Sequence, residues 1–484
     1  MLDLSKLQNG SDIRGIALGD SANLRETEAK ALSYGFYEFL KKRITKDTLT
    51  VAVGTDSRVT GKELKDYVME EFTSLGVKVL DCGLASTPAM FMATVFEDVK
   101  ADGAIMITAS HLPMDRNGFK YFTEKGGLEK ADIREIIEVA NGYEVKEKTE
   151  INAEKLDLIS IYSDYLKKKI CDETGKEMPL KGLHIVVDAG NGAGGFYATK
   201  VLEPLGCDIS GSQFLEPDGT FPNHIPNPED KTAMKSVSDA SKKANADLGL
   251  IFDTDVDRSS CVDEMGNEIS RNKIVALAAS LIAKDNPGSV IVTDSITSNE
   301  LTVFLEESLG LKHLRYMRGY RNVINRSIDL NNEALNSPLA IETSGHAAYK
   351  ENFFLDDGAY LATKVVIALA NGTGISTLLK DLKEPAEEKE VRIKVATDDF
   401  KPYAEAVLDA LVPFCEKEGF EIVKPNYEGV RVNINRDNLK GWFLLRKSLH
   451  DPILPLNIET TVGSVEDIMD ILKGFLSGYD KLVY

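Results

Sequence analysis

No segment of this sequence reaches the about 18 consecutive apolar residues that a membrane-spanning helix needs, so no membrane span is expected. The first six residues, MLDLSK, put no basic region ahead of an apolar run, which predicts no secretory leader and a cytoplasmic location. Cysteine is sparse. The five thiols (Cys82, Cys171, Cys207, Cys261 and Cys415) are odd in number, widely spaced and free of any CxxC pair. That pattern argues against disulfides or a zinc site and fits buried thiols in a reducing compartment. Positive charge is in deficit: 57 Lys and Arg stand against 77 Asp and Glu, a net charge of −20. A field of that sign repels nucleic acid and anionic lipid, so neither is expected as a partner. It repels phosphorylated ligands too, and a site for one must gather its cations locally.

What remains is ordinary globular material, 43% hydrophobic and 28% charged, and 484 residues are too many for a single core. Three stretches share one design, an apolar β-branched run followed by a turn rich in Asp, Gly or Ser and then a helical pattern. They are residues 49–57 (LTVAVGTDS), 183–194 (LHIVVDAGNGAG) and 289–298 (SVIVTDSITS). Short strands alternating with helices such as 62–74 imply βα units with mainly parallel sheets covered on both faces. Seams are expected near 145–180, where a helical pattern spans 155–169, and near 270–290. The charged stretch 383–390 (KEPAEEKE) reads as a linker. Beyond it, a helix near 399–418 precedes strand-like runs at 430–434, 442–445 and 456–460. A last helix is capped by Ser464. The expected architecture is three related α/β domains with mainly parallel mixed sheets and a smaller α+β C-terminal domain. The predicted borders are 1–155, 156–275, 276–385 and 386–484.

Four constellations follow apolar runs, at strand ends where α/β proteins bind ligands. In Thr108-Ala109-Ser110-His111, a serine becomes a nucleophile if a base or metal activates it, with His111 an obvious neighbour; the alternative is a turn serine satisfying backbone donors. In residues 253–258 (DTDVDR), Asp253, Asp255 and Asp257 alternate, and a hard cation such as Mg²⁺ makes three adjacent carboxylates tolerable. A solvated acidic loop is the alternative, and the EF-hand pattern does not fit. Residues 342–346 (ETSGH) offer an acceptor, a hydroxyl and a titratable ring for sugar hydroxyls and proton transfer, or else a helix N-cap. Residues 446–452 (RKSLHDP) can bind phosphate through Arg446 and Ser448, or form a basic surface turn. Arg14, Arg58, Lys120 and Arg258, beside Gly or Asp turns at predicted strand ends, fit anion binding.

In this order along the chain, the four constellations resemble the α-D-phosphohexomutase family of phosphoglucomutases, phosphomannomutases and phosphoglucosamine mutases. The family's TASHNP loop is matched by residues 108–113 except at Leu112. Its DGDGDR loop is matched with Thr254 and Val256 in place of the glycines, and its GEMSGH loop is close to residues 341–346. Further similar stretches are 12–15, 187–195, 218–228, 356–358 and 429–431, so the resemblance covers essentially the whole chain.

The resemblance implies four domains around a central cleft, each contributing one loop, and a reaction that moves phosphate between the 1- and 6-hydroxyls of glucose and/or mannose. It implies phospho-Ser110 as donor, with Mg²⁺ on Ser110, Asp253, Asp255 and Asp257. Arg14 and Arg258 would offset charge, with Lys120 and His346 as acid/base candidates and His111 beside the serine. Glu342 and Ser344 would grip the sugar, and Arg446, Ser448 and His450 the phosphate that is not reacting. The partners implied are a hexose phosphate and a hexose 1,6-bisphosphate intermediate, bound by a monomer or homodimer. The last loop departs from the family's RxSGTEP or RxSNTxP: Leu449 replaces Gly or Asn, and His450 replaces Thr. Three other readings stand beside this one: a noncatalytic sugar-phosphate-binding regulator on the same fold, a phosphoglucosamine mutase, and a metal-dependent phosphatase with an Asp nucleophile in 253–257.

Overall fold

The computed structural model describes residues 2–448 and 451–484, and the chain divides into two compact units. The first holds residues 1–281 and 344–378; the second holds 282–343 and 379–484.

The first unit is built on two mixed sheets. In one, strands Thr50–Thr55, Lys78–Leu84, Gly103–Ile107 and Ala153–Lys155 run parallel, and Arg116–Thr123 and Asp12–Ile16 extend the sheet antiparallel. The two central parallel strands, Thr50–Thr55 and Gly103–Ile107, are almost wholly apolar and buried because helices cover both faces. Helices Glu26–Lys41 and Lys130–Ala140 bury Leu32, Phe36, Ile133 and Ile136 with Val51, Val53, Ile105 and Ile107. In the other, Ile185–Asp188 pairs parallel with Leu248–Phe252, which continues antiparallel into Ser259–Val262 and Glu268–Ile269. The helix expected at 155–169 lies at Leu158–Thr174, stopped by Gly175 in a left-handed conformation.

In the second unit, Lys312–Arg315, Val290–Thr293 and Leu339–Ile341 pair in parallel. Its C-terminal portion is an antiparallel sheet in the order Glu421–Ile422, Val430–Arg436, Leu439–Leu445, Ile453–Val462, Glu387–Val395, Leu482–Val483. Helices Phe400–Lys417 and Val465–Leu476 bury Val407, Leu411, Ile468 and Leu472 with Val432, Phe443 and Leu456. The three α/β layers and the β-rich C-terminal portion agree with the expected fold class. Ser464 caps the last helix, accepting from the Asp467 amide as Asp467 reciprocates. One expectation is corrected. Half of the charged stretch 383–390 is strand, with Glu387 opposite Thr460 and Lys389 opposite Ile458. Charge at this position guards a sheet edge instead of marking a linker, because among the described residues only Lys394 and Val395 have a strand partner on the other side.

One buried acid in this sheet gives a pH-dependent expectation. Glu459 is buried, accepts from the Trp442 indole Nε1–H at 2.8 Å, and faces Glu300, Glu388 and Arg431. Burial pushes its carboxyl up to about 7. The folded state therefore holds this proton more tightly than the unfolded chain does. The resulting stability is fully present below about pH 4 and lost as pH rises through about 7. Glu459→Gln removes the titration. The variant should gain about 2.5 kcal/mol relative to the parent between about pH 5 and pH 8. Urea unfolding at both pH values measures this; a relative stability that does not change with pH contradicts it.

Candidate active site

Strand Gly103–Ile107 ends directly before Thr108, and strand Leu248–Phe252 ends directly before Asp253, so two sheets of the first unit deliver their loops to one place. Ser110 Oγ donates to Asp253 Oδ2 at 2.9 Å and accepts from Arg258 Nη2 at 3.0 Å. Its backbone is left-handed (φ 50°), a conformation that a non-glycine residue keeps only when its surroundings impose it. Those surroundings are two side chains. Thr108 Oγ1 accepts from the Ser110 amide at 2.9 Å and donates to buried Asp56 at 2.6 Å. Arg58 donates to the carbonyls of Ser110, Leu112, Pro113 and Arg116. Arg58 is thus corrected from an anion-binding candidate to a buried brace that spends its N–H groups on loop carbonyls.

The three aspartates converge. Oxygens of Asp253, Asp255 and Asp257 lie within 4.8 Å of one another, and all three side chains are buried. The sharp bend between them is made by Val256, buried and left-handed at φ 67°, where a β-branched residue is strained. Its carbonyl accepts from the Gly358 amide at 3.0 Å. From the other side the turn 189–194 packs on the loop, with the Ala193 amide donating to the Thr254 carbonyl at 2.8 Å. A Cβ on Gly192 would stand 2.7 Å from that carbonyl oxygen, so the close approach needs a glycine there.

Lys120 Nζ donates to Asp255 Oδ2 at 3.0 Å and to Asp257 Oδ2, while Thr87, which the sequence did not single out, donates to Asp255 through Oγ1. Lys120 sits mid-strand, opposite Met106, and Arg14 sits opposite Gly118, so both project from strands and not from the turns expected. Arg14 binds Asp12 at 2.8 Å and the Thr108 carbonyl. Burial and the other two carboxylates push Asp253 well up, whereas the Lys120 ammonium and His346 hold Asp257 well below the usual range. Asp255 and Asp257 keep the Lys120 ammonium protonated well above its ordinary range, despite burial.

Among the described residues, Asp255 Oδ1 and Asp257 Oδ1 are buried without a hydrogen-bond partner, as expected of oxygens prepared for a cation. An all-carboxylate donor set suits a hard divalent ion, so the residues present fit a metal.

His111 is held differently from a general base. Arg258 Nη2 donates to its Nδ1 at 2.5 Å, and Ser110 Oγ stands 3.3 Å from the same nitrogen. Burial and the Arg258 guanidinium push the ring down to about 3, so it stays neutral with its Nδ1 lone pair already used. His346 lies in the same unit. Its Nε2 is 3.5 Å from Asp257 Oδ1, and its Nδ1 is 2.9 Å from Ser344 Oγ. No helix begins at 342–346, which removes the N-cap alternative.

The remaining candidates belong to the second unit. Glu342 accepts from the Gly319 amide at 2.7 Å. Arg446 and Ser448 open the turn between strands Leu439–Leu445 and Ile453–Val462, closed by the Ser448 amide on the Ile453 carbonyl at 3.1 Å. Leu449 and His450 lie outside the described residues. Among the described residues no helix is long and apolar enough to cross a membrane.

Three family profiles together match about three-quarters of the chain. They are described as phosphoglucomutase/phosphomannomutase, alpha/beta/alpha domain I, domain II and domain III, over residues 5–146, 160–266 and 270–386. The chain is 30% identical over 448 residues to a phosphoglucomutase of Neisseria gonorrhoeae, covering 92% of each. It is 31% identical over 457 residues to a phosphoglucomutase/phosphomannomutase of Thermococcus kodakarensis, covering 93% of this chain and 94% of the other. Its fold is similar to the crystal structure of a phosphoglucomutase/phosphomannomutase family protein from Burkholderia thailandensis, with a TM-score of 0.80, 26% identity, and 99% and 98% of the two chains covered. With its serine, aspartates and basic side chains gathered as described, the chain belongs to the phosphoglucomutase/phosphomannomutase family, the α-D-phosphohexomutases.

Proposed function

We propose that this protein interconverts the 1- and 6-phosphates of glucose and/or mannose, with Ser110 carrying the phosphoryl group between the two halves of the reaction. The observation that carries this reading is the convergence of Asp253 and Arg258 on the Ser110 oxygen, 2.9 and 3.0 Å away. One group orients the hydroxyl and the other supplies positive charge where a phosphoryl group would sit. Asp253, Asp255 and Asp257, with an oxygen on Ser110, would hold Mg²⁺, whose chemistry is to neutralise charge on the phosphoryl oxygens.

The chain's own residues divide the remaining work. Arg14 and Arg258 add positive charge beside the serine loop. Lys120, bonded to Asp255 and Asp257, and His346, hydrogen-bonded to Ser344 and facing Asp257, are the two acid/base candidates; the group that takes the proton from the attacking sugar hydroxyl is the one that returns it when that oxygen departs. Glu342 and Ser344 would hold sugar hydroxyls that serve in both orientations, and Arg446 and Ser448, with His450, the distal phosphate. The reading includes the four domains 1–155, 156–275, 276–385 and 386–484, a hexose 1,6-bisphosphate intermediate, a monomer or homodimer, and a cytoplasmic setting.

The test is conversion of glucose 1-phosphate and of mannose 1-phosphate, each primed with its 1,6-bisphosphate, with the intact mass of the protein followed in parallel. Turnover with one phosphoryl group mapped to Ser110 is the expected result. Absence of turnover of any hexose phosphate, with Ser110 never phosphorylated, sinks the proposal.

A further inference from the structure

The second unit surrounds its candidate phosphate-binding arginine with acids. Arg446 is nearly buried, and its Nε has no hydrogen-bond partner among the described residues. Glu428 lies opposite, its Oε1 3.6 Å from Arg446 Nη1, and Glu390 and Asp294 add further negative charge, partly offset by Arg318. For a site that is to take a phosphate, this is the wrong sign of charge.

Glu428 is not a chance neighbour. Its Oε2 accepts from Ser295 Oγ at 2.5 Å and from the Arg318 amide at 3.2 Å, which fixes the carboxylate. The next residue, Gly429, is left-handed at φ 59°, and a Cβ there would stand 2.2 Å from the Leu445 carbonyl oxygen and 2.7 Å from Arg446 Cβ. Only a glycine lets the chain lie this close to Arg446 and bring Glu428 against the guanidinium.

We infer that Glu428 is a built-in counter-ion that weakens the hold of Arg446 on phosphate, so that the phosphate end of a bound sugar is released easily between half-reactions. The inference rests on the proposed function. A bisphosphate that turns round in its site has to let go of both ends without being lost, and an arginine with no opposing charge holds its anion too long. A fixed carboxylate beside the guanidinium lowers anion affinity through Coulomb repulsion and leaves the donor geometry unchanged. Glu428 is therefore a positioning and tuning residue; it need not touch the reacting atoms.

The test uses inorganic phosphate as the probe, by calorimetry on the full chain, with hexose-phosphate kinetics alongside. Glu428→Gln keeps an acceptor for Ser295 and for the Arg318 amide but removes the charge. It should bind phosphate about 5-fold more tightly at low salt, with the gain shrinking as ionic strength rises, and should lower KM and kcat together. Arg446→Met should abolish the phosphate binding in both backgrounds. If binding depends on Arg446 but Glu428→Gln is no tighter than the parent, the counter-ion role is wrong and the phosphate loop stands. If neither protein shows binding that depends on Arg446, the assignment of Arg446 fails first and takes the inference with it.

Discussion

Ser110→Ala should lower hexose-phosphate turnover by on the order of 10⁴-fold and leave no phosphate on the protein after incubation with the bisphosphate. The size of the effect follows from the role: without the hydroxyl there is no carrier, and nothing else near it replaces one. His111 cannot, with its ring neutral and its Nδ1 taken by Arg258. Asp253 is engaged by Arg258 through Nε at 3.2 Å and Nη2 at 3.1 Å. The loop itself should survive the change, since Arg58 holds it by backbone carbonyls and Thr108 holds the residue 110 amide. The left-handed backbone is no worse for alanine than for serine. Stability should therefore fall by no more than about 3 kcal/mol, the upper worth of a hydrogen bond to a charged partner, here Asp253 with Arg258. Steady-state kinetics, intact mass and urea unfolding give the three readings. Turnover within about 10-fold of the parent would end the case for Ser110 as carrier.

The parts of this arrangement that could be seen in the sequence are those that chain-local chemistry dictates. The apolar runs 50–55, 185–188 and 290–293 are strands because they are buried on both faces, and the polar turns after them are where the ladders end. The alternating aspartates converge because one residue between them, Val256, takes a backbone conformation that turns the loop. That strain could be suspected from the glycine the family carries there. Pairings set by the tertiary fold were hidden. Lys120 and Asp255 are 135 residues apart, and Thr87 and Asp255 168 apart; no spacing rule links them. Arg58 looked like a ligand-facing cation because a sequence records its charge but not the four carbonyls that surround it. The strand at 387–395 was hidden by its own charge, which disguises an edge strand as a linker.

Lys120→Met should separate the two jobs this lysine does, because they respond differently to metal. The ammonium is buried and bonded to both Asp255 and Asp257, with Asp253 adjoining. Methionine fills much of the same volume and removes the charge. In chelator the variant should be less stable than the parent by about 3–5 kcal/mol, the usual cost of leaving buried carboxylates without their cation. Saturating Mg²⁺ should recover most of that loss, since an ion bound by the same carboxylates supplies the missing charge and binding to the native state alone adds to stability. The parent, with its lysine already in place, should gain less. Turnover should not recover: a proton donor worth about 10²–10⁴-fold is gone whatever the metal concentration. Urea unfolding with and without Mg²⁺, set beside kcat, distinguishes the possibilities. Stability restored by metal with activity still lost identifies Lys120 as both counter-ion and acid. Activity restored together with stability reduces it to a counter-ion, and a variant as stable as the parent in chelator contradicts the charge argument at the centre of the site.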